Sequence, residues 1–186
     1  EVESTMAIAK KRAEKGAPDR TVILADHQKS GTGRLDRSWS SDEGGIYATI
    51  ILRPPIPLSL CHLYNFAASV ALARTLKALH GLSATVKWPN DVLVNGRKIA
   101  GILLQAAGEP QMIDYLNVGI GINVNNDPRD ANPAATSVSL MTGEKQSRKQ
   151  LFARFFRDFT TFSQEPADTI LNAWRARSST QIGRAS

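Results

Sequence analysis

The sequence predicts a single mixed α/β (α+β) domain, one mainly antiparallel sheet flanked by helices. Three observations carry that expectation. Apolar, β-branched runs cluster in the middle of the chain, as "TVILADHQ", "GIYATIILR", "SATVKW", "VLVNGRKIAGILLQAA" and "MIDYLNVGIGINVN". Asn95-Gly96 splits the fourth run as a two-residue type I′ hairpin turn, which ties neighbouring strands antiparallel. Helical patterns flank the cluster, so the helices can cover one sheet. At 186 residues the chain is long enough for one sizeable core and short for two independent domains.

Each element has its own local signal. "STMAIAKKRAEKG" reads as a helix, with Ser4 or Thr5 as N-cap, alanines throughout and Gly16 as its stop. "TVILADHQ" is a strand whose polar end delivers Asp26, His27 and Gln28 to a rim. "KSGTGRLDRSW" is a Gly/Ser-rich loop, and "GIYATIILR" a buried strand ended by Pro54-Pro55. The longest helix is "SLCHLYNFAASVALARTLKALHG", expected to be capped by Ser59 and ended by Gly81. Leu60, Leu63, Ala67 and Val70 would lie on one face. Gly119 and Gly121 in "MIDYLNVGIGINVN" allow close approach by other backbone or a ligand. After the turn-rich loop "NNDPRDANPAA" come two amphipathic helices, "RKQLFARFFRDFTTF" and "PADTILNAWRAR", with Leu151, Phe155 and Phe159 on one stripe.

Composition narrows the function. The 42% hydrophobic and 22% charged fractions are those of an ordinary globular protein. A net charge of +6 and a pI near 9.7 favour anionic partners. The basic residues are scattered, however, and aromatics make up only 6% of the chain, few for stacking bases, so no nucleic-acid partner is expected. One cysteine, Cys61, can form no internal disulfide and fits a reducing compartment. No apolar run approaches a membrane span, and the expected location is the cytoplasm. His27, His62 and His80 lack metal-ligand spacing, and no GxSxG elbow is present.

Two segments carry chemistry. "KWPNDVLVNGRKIAGIL" brings Lys87 and Lys98 into a stretch that otherwise reads as sheet. Lys98 is either an exposed hairpin lysine or an ammonium aimed into a cleft beside Gly101. Asn90 and Asp91 are either turn formers or functional. In "QKSGTGRLDRSW", Gly31 and Gly33 permit positive φ, which lets backbone N–H groups converge on an anion. Arg34 and Arg37 add forked donors suited to phosphate. No GK[ST] follows, so this is not a Walker A loop, and no helix pattern follows that would make it a Rossmann turn.

Taken together, "ESTMAIA", "ADHQKSGTGRLDRSW" and "KWPNDVLVNGRKIAGIL…VGIGINVN" resemble the catalytic domain of biotin protein ligases over nearly the whole chain. The resemblance implies the class II synthetase-like fold of the biotin/lipoate ligases, with residues 1–178 as the catalytic domain and 179–186 beginning a further C-terminal domain. It implies ATP-dependent activation of biotin to biotinyl-5′-AMP, then transfer to one lysine of a biotin carboxyl carrier domain. Ser4, Thr5 and Gln28 would hold the biotin ureido ring. The loop from Gly31 through Thr32 and Gly33 to Trp39 would close over biotin and the adenylate, with Arg34 as its invading cation. Lys98 matches the essential lysine, and Gly101 shapes the pocket beside it. Arg37, Lys87, Asn90, Asp91 and Asn123 would serve the nucleotide, with Asp91 linked to Mg²⁺.

The chemistry fits these residue types, because a carboxylate attacking an α-phosphate brings anion to anion and needs cations. One departure stands out: Thr32 replaces the first cation of the usual Gly-Arg-Gly-Arg or Gly-Lys-Gly-Arg loop. The alternatives are a lipoate or octanoate ligase of the same fold and a catalytically weakened biotin-binding domain. Pairing of two copies into a homodimer stays open.

Overall fold

The structure, a computed structural model, describes residues 1–179; the expected start of a C-terminal domain falls almost wholly on residues 180–186, outside the described residues. In chain order the elements are α1 (Thr5–Glu14), β1 (Thr21–Ala25), β2 (Ile46–Leu52), α2 (His62–His80), β3 (Ala84–Lys87), β4 (Asp91–Val94), β5 (Arg97–Glu109) and β6 (Met112–Ile122). α3 (Val138–Thr142), α4 (Arg148–Phe162) and α5 (Ala167–Arg175) follow. The strands form one sheet in the order β1-β2-β6-β5-β4-β3, every neighbouring pair antiparallel. The expected sheet and flanking helices are therefore present.

Period-2 alternation sends the two faces of the sheet to different partners. Ile46, Ala48, Ile50 and Leu52 of β2 join Leu116, Val118, Ile120 and Ile122 of β6 in a large core with α2, α4 and α5. Leu151, Phe155 and Phe159 of α4 are fully buried there, as their stripe predicts. The opposite face carries Ile51 and Tyr115, which pack on Ala9 and Ala13 of α1. α1 covers only part of that face. At its N-terminal end the sheet presents Thr49, Gly119 and Gly121 to a cavity instead.

Local signals explain most element ends. Ser4, not Thr5, is the N-cap of α1, and its hydroxyl accepts from Ala7 N. Asn95 (φ 50°) and Gly96 (φ 75°) both take the left-handed conformation of a type I′ turn. Gly81 ends α2 in the left-handed region, at φ 69°.

Two expectations fail. Ser59 does not cap the long helix: Leu58–Leu60 form a 3₁₀ turn, and α2 begins at His62 with Cys61 at the N-cap position. The chain leaves Pro57 in an extended conformation, so one tight turn precedes the α-helical ladder, and Leu60 is left exposed rather than on the apolar face. The segment after the turn-rich loop also holds a short helix, α3, capped by Ser137 and stopped by Gly143. Its five residues are too few for hydrophobic periodicity to register. Among the described residues, no helix is long and apolar enough to cross a membrane.

Candidate active site

The uncovered end of the sheet floors a cavity of about 610 Å³, walled by Ser4 and the first residues of α1, the loop from Thr32 to Trp39 and the "KWPND" turn. Gln28, Thr32, Gly33, Arg34, Arg37, Trp39, Lys87, Asn90, Asp91, Lys98 and Gly101 all line it. A second cavity of about 500 Å³ lies across Trp39; Lys98, Gln28 and Trp39 face both, while Gly31 and Asn123 line the second alone. Every residue singled out from sequence thus borders one of two adjoining spaces.

Lys98 reaches the site through an irregularity in the ladder. Asp91 pairs with Gly101 and Leu93 with Lys98, with a register shift between them that leaves an extra residue on β5. In a regular strand Lys98 and Gly101, three apart, would face opposite sides. The bulge puts both on the side of Asp91. Lys98 Nζ then lies 2.7 Å from Asp91 Oδ1, with about a quarter of each side chain exposed. It is also 5.1 Å from the Trp39 ring centroid, within cation–π range. Its backbone is fixed from the outside, since Lys98 N donates to Ala134 O and Lys98 O accepts from Thr136 N. The reading of Lys98 as a solvated hairpin lysine is excluded. Opposite it, Asn65 Nδ2 donates to Pro89 O (2.6 Å) and Ile102 N to Asn90 O (2.9 Å), holding the turn that carries Asp91.

The glycines act by close approach, which corrects one expectation. Neither Gly31 nor Gly33 has a positive φ; the left-handed residue of the loop is Leu35, at φ 53°. A Cβ at Gly31 would meet Trp39 O at 2.4 Å and Ser41 Oγ at 2.7 Å, so glycine is needed for the loop base to close. The loop is a small hairpin: Trp39 N donates to Gly31 O and Gly33 N to Arg37 O, with Thr32 bridged to Ser38. Trp39 folds back across the sheet. Cβ atoms at Gly101 and Gly121 would lie 2.8 and 2.4 Å from its ring, and one at Gly119 would meet Met6 Cε at 2.6 Å. The bare strand surface is what admits the indole.

A hydrogen-bonded chain backs the first cavity. Gln28 Oε1 accepts from Thr5 N (2.7 Å) and Thr5 Oγ1 (2.9 Å), while Gln28 Nε2 donates to Ser41 Oγ (2.9 Å). Thr49 Oγ1 donates to Thr5 Oγ1 at 3.0 Å. Thr49, Met6 and Asn132 are lining residues that sequence reading did not single out. Thr49 left a signal, a hydroxyl inside the otherwise apolar "YATIIL" run.

Electrostatically the first cavity is cationic. Arg34, Arg37, Lys87 and Lys98 face it, against Asp91 as the sole carboxylate among its described lining residues. Four cations in one concave wall focus potential toward an anion. Asp91 is already engaged by Lys98, and no group of three His, Cys, Asp or Glu side chains able to hold a metal occurs among the described residues. In the first cavity Asp91 is thus the one carboxylate among the described lining residues that a Mg²⁺ could meet. Asn123 is buried, and its Oδ1 accepts from Asn126 Nδ2 (3.0 Å).

An antiparallel sheet whose glycine-paved, half-covered face is roofed by an arginine loop and flanked by a bulge-directed lysine defines a class of fold and site found in known proteins. Residues 1–125 match the family model of the biotin/lipoate A/B protein ligase family, and the chain belongs to that family. A bifunctional ligase/repressor BirA of Bacillus spizizenii is 37% identical over 93% of this chain and 57% of its own length. A biotin–[acetyl-CoA-carboxylase] ligase of Paracoccus denitrificans is 36% identical over 94% of this chain and 77% of its own. The chain thus spans a little over half the length of the Bacillus relative. Among solved structures, the biotin protein ligase of Aquifex aeolicus in complex with biotin and ATP superposes with a TM-score of 0.82. It is 26% identical, with 96% of this chain and 75% of that one covered. The Leishmania major biotin protein ligase in complex with biotinyl-5-AMP shares the fold at a TM-score of 0.82 and 22% identity, covering 100% of this chain and 81% of that one.

Proposed function

We propose that the chain is an ATP-dependent biotin protein ligase, with residues 1–178 as its catalytic domain. The observation that carries the reading is Lys98, held by Asp91 at the junction of two cavities inside a cationic wall. Biotin takes the first cavity, its ureido head toward Ser4, Thr5 and Gln28 and its carboxylate toward Lys98. ATP approaches from the side of Asn90, Asp91, Lys87 and Arg37, with Asn123 in the second cavity. The relatives in Paracoccus and Aquifex, with biotin or its ligase activity in their names, support this choice of acid.

In the first step a biotin carboxylate oxygen bonds to the α-phosphorus as the bond from that phosphorus to the bridging oxygen breaks. Biotinyl-5′-AMP forms and pyrophosphate leaves. Both reactants are anions, so the gain comes from cations fixed before reaction: Lys98 between carboxylate and phosphate, and Arg34 brought in by the loop. Mg²⁺ is expected to arrive on the triphosphate. In the second step the neutral amine of an acceptor lysine attacks the acyl carbon, AMP departs with the bonding pair, and the amine loses a proton. The partner is a biotin carboxyl carrier domain, and the cytoplasm, with Cys61 reduced, is the expected compartment. Closure of the Gly31–Trp39 loop would keep water from the mixed anhydride.

The test is exchange of labelled pyrophosphate into ATP, with biotin, lipoate and octanoate side by side, followed by transfer to a carrier domain. Biotin-dependent exchange supports the reading. Exchange with lipoate or octanoate alone replaces it with the sister activity, and no exchange with any acid removes the enzymatic claim.

A further inference from the structure

The hydrogen bonds behind the first cavity run in one direction only, and the direction begins at Thr49. A backbone N–H can only donate, so the Gln28 atom 2.7 Å from Thr5 N is the amide oxygen. Thr5 Oγ1, 2.9 Å from that same oxygen, must give its single proton there. The 3.0 Å contact between the two threonine hydroxyls therefore has Thr49 as donor and Thr5 as acceptor. At the far end Ser41 Oγ receives Gln28 Nε2 at 2.9 Å and gives its own proton to Trp39 O at 3.2 Å. No member of the chain can reverse without breaking a bond.

The cavity side of this chain is consequently a fixed pattern. Gln28 Nε2 keeps one N–H, while the hydroxyls of Thr5 and Thr49 have committed their protons and keep lone pairs. Thr49 is fully buried on β2, paired to Ile23 on one side and Gly119 on the other, and β-branched, so its rotamer is stiff. The Met6 methyl and the Thr49 hydroxyl both stand close to the bare Cα of Gly119. Thr49 acts through Thr5.

We infer that Thr49 is a positioning residue for substrate choice: it holds Thr5 and Gln28 as one donor beside hydroxyl acceptors, the complement of a cyclic urea with its carbonyl and N–H groups. The inference deepens the biotin reading above and rests on it. A dithiolane or alkyl head offers no N–H and no carbonyl, so seating it would leave these buried groups unmatched, and rejection of such a head is a strong discriminator. Valine at position 49 keeps the shape and the strand preference but removes the donor. Thr5 Oγ1 then keeps its bond to Gln28 Oε1 but loses the one that ties it to β2, so its side chain and the Gln28 amide it carries are held less firmly.

The experiment compares Thr49→Val and Thr49→Ser with wild type in pyrophosphate exchange, using biotin and lipoate, with thermal melts to verify folding. The expected result for Thr49→Val is a KM for biotin raised about ten- to a hundredfold, with kcat at saturation within about threefold, since a buried hydrogen bond lost to a ligand network is of that size. The preference for biotin over lipoate falls with it, and Thr49→Ser restores both. Thr49→Ala gives the same comparison should the valine variant not fold. A biotin KM within about twofold of wild type overturns the inference, as does an equal rise in the serine variant, which would mark a packing role. Wild-type protein that shows no biotin-dependent exchange overturns the underlying reading instead, before any variant is compared.

Discussion

Lys98 Nζ and Asp91 Oδ1 meet at 2.7 Å across the β4–β5 bulge, although the two residues stand on adjacent strands at positions that are not register partners. The contact aims the ammonium along the wall shared by both cavities and keeps a counter-charge beside it until an anionic substrate competes. Lys98→Ala is expected to lower biotin adenylation about 10²- to 10³-fold, the usual cost of removing one preorganised stabilising group. Melting should barely move, because a partly exposed pair contributes about 1 kcal/mol or less. Asp91→Asn keeps the ammonium but loosens its aim, and about a tenfold loss is expected. Single-turnover formation of the adenylate measures both. A Lys98→Ala protein within about threefold of wild type would remove the lysine from the chemistry.

Trp39 divides the two cavities only because Gly121 and Gly101 leave it room. A Cβ at Gly121 would sit 2.4 Å from indole Cε2, far inside contact distance, so Gly121→Ala must displace the ring. The backbone there is ordinary β-strand with no positive φ, so alanine itself is not strained. The expected outcome is a folded protein whose Trp39 resonance shifts in 5-fluorotryptophan ¹⁹F spectra while those of Trp88 and Trp174 stay in place, with weakened biotin binding. An unmoved Trp39 signal would contradict the packing described.

Much of this was legible in the sequence, and the reasons differ by element. Asn95-Gly96 announces its turn because few residues accept two successive positive φ angles. The stripe of Leu151, Phe155 and Phe159 announces α4 because burial repeats with the helix period. The site residues surfaced through long motifs that survive as contiguous text. What stayed hidden depends on register and on three dimensions. The β5 bulge that turns Lys98 inward leaves no mark in "NGRKIAG", and Thr49 joins Gln28 and Thr5 only because β2 lies beside α1 in the folded chain. The role of Gly31 was misread for a related cause. Glycine suggests an unusual φ, whereas here it makes space for the carbonyl of Trp39, eight residues away.

Cys61 is free and buried at the start of α2, and burial pushes its thiol above the ordinary cysteine value. A raised pKa leaves less thiolate at neutral pH, and thiolate is the reactive form. Native protein at pH 7.5 should therefore react with Ellman's reagent far more slowly than a free thiol, by about 10²-fold, and denaturant should release one equivalent. Fast stoichiometric labelling of the native protein would mean that the N-cap turn of α2 opens readily.

Asn117 supplies a stability test independent of catalysis. It lies on β6 between Ile51 of β2 and Gln105 of β5, on the face covered by α1, and is fully buried. Neither its Oδ1 nor its Nδ2 has a partner, and Gln105 Oε1 beside it is likewise buried and unpartnered. An amide taken from water without replacement bonds costs about 1–3 kcal/mol, whereas an apolar side chain of similar shape has no such cost and gains from burial. Leucine nearly matches asparagine in shape and suits the apolar contacts of Ile51. Asn117→Leu is thus expected to stabilise the fold by about 1–2 kcal/mol, which for a chain of this size raises Tm by several degrees. Adenylation should persist, because Asn117 lies outside the residues lining either cavity. Urea and thermal unfolding measure the change. A loss of stability would show that the amide is satisfied in solution.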